Sequence, residues 1–78
     1  MGAFSYNIDQ KLGILAQSED GKYTTEVNMI SYNKARPKLD IRRWNQKEGK
    51  MLKGVALNWE ETQKLLEIIQ ELTGADFR

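Results

Sequence analysis

Apolar and polar positions alternate through most of this chain with the period of a pleated strand. In IDQKLGILAQ, residues 8–17, Leu12, Ile14 and Ala16 recur at every second position, which predicts a half-buried strand. Ser18-Glu19-Asp20-Gly21 follows as a turn, because Asp and Gly tolerate the positive φ that tight hairpins need. A second strand, KYTTEVNMISY (residues 22–32), is rich in β-branched and aromatic residues. Its parity puts Val27 and Met29 on one face and Glu26, Asn28, Ile30 and Tyr32 on the other. After a loop at residues 33–36, Pro37 suits a strand start, where its missing N–H costs no ladder bond. In the third strand, PKLDIRRWN, Leu39 and Ile41 oppose Lys38, Asp40, Arg42 and Trp44, so an apolar face is separated from a basic, aromatic one. KMLKGVAL (residues 50–57) makes a fourth strand after the turn at residues 46–49, and Gly54 within it predicts a bulge or a close backbone approach.

The period then changes. Asn58 is a favourable N-cap, with Glu61 at the capping-box position and Glu60 and Glu61 suited to the positive end of the helix dipole. A helix to about Thr73 is predicted, stopped by Gly74. Its apolar residues Trp59, Leu65, Leu66, Ile68, Ile69 and Leu72 form a stripe wider than one small sheet can cover. We therefore expect the helix to be shared between the sheet and a dimer interface, with Leu65, Ile68 and Leu72 at that interface. The fold class predicted is α+β: a twisted antiparallel four-stranded sheet followed by one C-terminal helix, ββββα, as a homodimer.

Length makes a partner subunit more attractive. Seventy-eight residues form a single domain, residues 1–78, that buries only about 60% of the surface exposed by its unfolded chain. Small domains usually gain stability from disulfides, metals or oligomerisation, and with no Cys and no His only the last is at hand. At 40% hydrophobic and 29% charged residues the chain falls in the globular range, so it should fold. No run approaches the roughly 20 apolar residues of a membrane span, and MGAFSYNIDQ lacks the basic and apolar regions of a signal peptide. A soluble, cytoplasmic, nucleoid-associated protein is expected.

The formal net charge of +1 conceals a segregation. Residues 33–54 carry eight cations (Lys34, Arg36, Lys38, Arg42, Arg43, Lys47, Lys50 and Lys53) against Asp40 and Glu48, a net of +6, and the rest of the chain holds −5. Such a distribution suits a polyanion, although basic strands beside an acidic helix also arise as plain solvated surface. Catalysis finds little here: there is no His or Cys, no GxSxG, no P-loop and no GxGxxG, while Glu60 and Glu61 are explained by the helix start. We predict no enzyme activity, no cofactor and no metal site.

Single-stranded nucleic acid exposes base faces beside a charged backbone, so a binder needs aromatics interleaved with cations on an open surface. Tyr32 and Trp44 lie on the polar side of their strands with Arg42 beside Trp44, and Lys22, Lys34, Arg36, Lys38 and Lys53 supply further charge. Trp44 fits either a base-stacking role or a core aromatic at a strand end, and Tyr32 either stacking or cross-strand packing. Single-stranded DNA is the leading ligand. RNA is chemically close, and a module docking an acidic protein or a subunit of the transcription or replication machinery is the alternative.

The segments EVNMISYN, PKLDIRRW and KGVALNWEE, in that order before an N-capped helix, resemble the C-terminal domain of the eukaryotic transcriptional coactivator positive cofactor four. They are closer still to bacterial relatives of the YdbC type, and the resemblance spans residues 11–72. It implies a dimer whose two sheets form grooves for single-stranded DNA, bound with little sequence preference. By position it makes Arg42 and Lys53 DNA contacts and Tyr32 a stacking aromatic, with Lys38 and Lys22 also corresponding. Where the eukaryotic pattern has two successive aromatics after D-I-R, only Trp44 is aromatic here and Asn45 follows it.

Overall fold

The computed structural model describes residues 5–72. Four strands, β1 (Tyr6–Gln17), β2 (Tyr23–Tyr32), β3 (Lys38–Asn45) and β4 (Lys50–Leu57), form one antiparallel sheet in the order β1-β2-β3-β4, and α1 (Trp59–Gln70) follows. This is the predicted ββββα arrangement. Local chemistry sets each junction. At the first turn Gly21 has φ 73°, the Asp20 carboxylate accepts from the Lys22 amide at 2.9 Å and the Ser18 hydroxyl at 2.7 Å, and Gly21 N–H donates to the Ser18 carbonyl. Between β2 and β3, Asn33 and Lys34 both take positive φ, 51° and 66°, and Ala35 N–H closes the turn onto the Tyr32 carbonyl. Two successive positive φ values with this bond are the pattern of a type I′ turn.

The alternation expected of the first strand is overturned. β1 pairs with β2 through three bulges, so that Ile8, Lys11, Ile14 and Gln17, three residues apart, lie opposite Ile30, Asn28, Glu26 and Thr24. Ile14 therefore shares a face with Glu26, while Ala16, opposite Thr25, is on the other side. Each bulge adds one residue to the longer strand and increases local twist, so twelve residues of β1 curl around ten of β2. The curl is large: the ring of Tyr6, which pairs opposite Tyr32, lies 6.1 Å from that of Trp44, which pairs opposite Thr24.

Curling makes the two faces unequal. On the face carrying Thr24, Asn28, Ile30, Asp40 and Trp44, all five residues are buried although α1 lies on the other side, beside β3 and β4, where Trp59 and Thr62 line a small cavity with Met29, Leu39 and Leu57. The predicted polar side is thus a concave groove floor and the most shielded part of the described residues. Ile30 and Trp44 are the buried apolar residues among those described, while Val27, Met29, Leu39 and Ile41 on the convex side are half-buried.

Gly54 satisfies both readings of it. A bulge falls between the Arg42 and Trp44 pairings of β3 with β4, and Gly54 stands opposite Arg42, where a Cβ would lie 1.9 Å from the Arg42 Cβ and 2.6 Å from the Ile41 carbonyl oxygen. At the helix start Asn58 accepts from the Glu61 amide at 2.8 Å and donates its own amide to the Glu61 carboxylate at 2.9 Å, completing the capping box. Thr73 and Gly74, read as the helix end, lie outside the described residues. None of the helix residues is buried, and Leu66, Ile68 and Ile69 remain about half exposed.

Candidate nucleic-acid interface

The concave face is built by pairing Ile30, Asn28, Glu26 and Thr24 of β2 with the polar-side residues of β3, and Tyr32, paired with Tyr6 of β1, joins it through its bond to Asp40. In register, Lys38 stands opposite Ile30, Asp40 opposite Asn28, Arg42 opposite Glu26 and Trp44 opposite Thr24. Four of the predicted site residues, Tyr32, Lys38, Arg42 and Trp44, are therefore brought to one surface. Lys34 and Arg36 are exposed in the loop at its Tyr32 end, and Lys53 is exposed in the β4 bulge beside Gly54. Lys22 is at the far end, half-buried, with its ammonium 5.3 Å from the centre of the Tyr23 ring; Arg43 lies 4.8 Å from the same ring.

An ion pair lies at the centre of this face. Arg42 grips Asp40 with two donors, Nε to Oδ1 at 2.6 Å and Nη2 to Oδ2 at 2.8 Å, and its Nη1 donates to the Leu52 carbonyl at 3.0 Å. The Tyr32 hydroxyl donates to the same Asp40 carboxylate. Asp40 is fully buried, so it needs these donors: an isolated carboxylate there would be strongly destabilising. Hydrogen bonding to Asp40 raises the Arg42 pKa further, keeping the guanidinium charged. Burial, together with the Asp40 contact, pushes the Tyr32 phenol up to about 12. Arg42 is thus a strut across the groove floor as well as a cation, and its guanidinium is 5.9 Å from the Tyr32 ring.

The aromatics differ in accessibility. Tyr32 is half-buried with the Tyr6 ring 6.4 Å away. Trp44 is only 6% exposed, packed against Tyr6, with its indole N–H buried and without a hydrogen-bond partner. Of its two readings, the chain by itself places Trp44 in the packed role.

Sequence reasoning passed over Asp40 and Lys11. An acid two positions before an arginine on one strand face was a signal for the pairing, but alternation alone placed Asp40 on the basic, aromatic face without marking it as buried. Lys11, opposite Asn28 on the groove side, was hidden by the bulges, which break the period that parity relies on. The third omission is a polar cluster, Thr24, Glu26, Asn28 and Gln46, beside Lys11 in an open cleft of about 550 Å³.

Among protein families, residues 20–68 match the Transcriptional Coactivator p15 (PC4) family, a match running from the first turn through β2, β3 and β4 into α1. The chain belongs to the PC4 family. It is also 33% identical over 70 residues to an uncharacterized protein of Treponema pallidum (strain Nichols), covering 90% of this chain and 81% of the relative. The PC4 match contains the whole Asp40–Arg42–Tyr32 network, Trp44, Lys53 and Gly54, whereas β1 precedes it. Among the described residues no helix is long and apolar enough to cross a membrane.

Proposed function

We propose that this PC4-family protein binds single-stranded DNA with little sequence preference, as a homodimer, in transcription, replication or repair. The observation that carries this reading is the gathering of Tyr32, Lys38, Arg42 and Trp44 on one concave face, with Lys34 and Arg36 in the loop at its end. A flexible single strand can follow a curved groove and lay bases on aromatic rings, whereas a straight duplex meets only its rim. Exposed Lys34, Arg36, Lys38 and Lys53, with Lys22 at the far end, are the phosphate partners, and Tyr32 is the stacking platform held upright by Asp40. Arg42 adds charge at the floor while its bonds to Asp40 and Leu52 fix the groove's shape. Trp44 reaches a base only where Tyr6 moves off it.

Titrating a labelled thymidine oligomer and a duplex of equal length at two salt concentrations, with anisotropy as readout, tests the assignment. Tighter binding of the single strand, weakening with salt, is expected; replacing Lys34 or Lys53 by Ala should each lower the salt slope by about one. Equal binding of both forms, or undiminished affinity after combined loss of Arg42 and Lys53, refutes it. An RNA oligomer in parallel shows whether the sugar matters, which it does only if a side chain reads the 2′-hydroxyl.

A further inference from the structure

We infer that the polar cluster of Thr24, Glu26, Asn28 and Gln46 is a base-reading subsite for the Watson–Crick edge of an unpaired guanine, placed within an otherwise sequence-tolerant groove. The inference rests on the nucleic-acid reading above and adds a preference to it. Glu26 is the anomaly that prompts it, since a carboxylate facing a groove for phosphates repels them. It stands directly opposite Arg42, yet that guanidinium is taken by Asp40. Neutral donors hold Glu26 instead: Oε2 accepts from the Thr24 hydroxyl and from Gln46 Nε2, both at 2.7 Å, and Oε1 has only a long contact of 3.4 Å from Asn28 Nδ2. Gln46 Nε2 also donates to the Thr24 hydroxyl at 2.7 Å, which ties the β3–β4 turn to β2.

The platform is built rather than loose, with Thr24 4% and Asn28 1% exposed, while Glu26 is only half-buried and lines the cleft. A fixed carboxylate with spare acceptor capacity selects an edge made of donors. Guanine presents two adjacent donors, N1–H and the N2 amine, whereas thymine places a single N–H between two carbonyls that a carboxylate repels. Because a single strand leaves this edge unpaired, the recognition is open to a single-strand binder and closed to one that meets duplex. Lys11, on the cleft wall, is positioned for the phosphate of the nucleotide so read.

The test compares a thymidine oligomer with the same oligomer carrying one central guanine, in the wild type, Glu26→Gln and Gln46→Ala, scoring the ratio of the two affinities within each protein. A good bidentate base contact discriminates by about five-fold or more, so the wild type should favour the guanine oligomer by at least that factor. Glu26→Gln should bring the ratio to within about two-fold, and Gln46→Ala should reduce it. Equal affinities in the wild type overturn the subsite alone, as does a ratio undiminished in both variants. Failure of the wild type to bind either oligomer overturns the nucleic-acid reading and this inference with it.

Discussion

Gly54 shows how one missing side chain lets β3 and β4 meet. The neighbours of its absent Cβ are the Arg42 Cα and Cβ and the Ile41 carbonyl, all parts of the backbone or fixed to it, so none can swing aside. Gly54→Ala must push the strands apart at the residue that holds Asp40, and should cost about 3 kcal/mol in chemical denaturation, at the upper end for an overpacked site. Tyr32 gives a prediction with a pH. Its folded pKa, about 12, lies above the ordinary 10, so the folded state keeps the proton longer than the unfolded one. The stabilisation is therefore complete below about pH 10 and is lost as pH rises toward 12. Tyr32→Phe should remove that alkaline dependence, seen as a flatter stability profile across this window. Lys34, at φ 66°, occupies a conformation that costs a residue with a Cβ about 1 kcal/mol. Lys34→Gly should raise stability by that amount while weakening oligonucleotide binding, separating the fold's preference from the ligand's.

Among the elements, those with local signals are legible in the sequence. Asn58 with Glu61 marked the helix start and the capping box is formed, so Asn58→Ala should lower stability by about 1 kcal/mol in thermal unfolding. Asp20-Gly21 marked the first hairpin and Gly54 the bulge, each because one residue type relieves one local constraint. What escaped was set by pairing. The bulges of β1 depend on how a long strand follows the curl of its neighbour; in IDQKLGILAQ only Gly13, at the middle bulge, marks one, and the other two leave no sign that distinguishes them from simple alternation. The groove floor was misjudged for a related reason. Charged and polar side chains at alternate positions normally face water, but here curling buries Asp40, Asn28 and Thr24, and they are accommodated by bonds on the same face: Asp40 to Arg42 and Tyr32, Asn28 to Glu26, and Thr24 to Glu26 and Gln46. The site's cations could be named from composition, whereas the network that fixes one of them required the register.

At the scale of the whole molecule, the described residues bury few apolar side chains. The radius of gyration is 14.4 Å, where a compact chain of this length has roughly 11.5 Å, and among the described residues α1 packs only on the convex side of β3 and β4. Trp59, Leu66, Ile68, Ile69 and Leu72 stay 42–73% exposed, a contiguous apolar surface of the kind that marks an interface. This supports the dimer expected from the stripe. Ile68→Glu is the sharper probe than a change at Leu65, because Ile68 is exposed in the single chain and Leu65 is half-buried. The variant should sediment as a monomer with weakened oligonucleotide binding, and an unchanged sedimentation coefficient would refute the interface.

The bulges of β1 have a consequence beyond shaping a groove. This strand is an outer edge of the sheet, and an extended edge with free amides is a template on which another chain can add itself. With an extra residue inserted at three places, β1 cannot offer a continuous ladder to a straight incoming strand. Exposed Leu12, Ile14 and Leu15 would otherwise make this edge sticky, so the irregularity that bends the sheet into a groove also guards the protein against growing into fibrils.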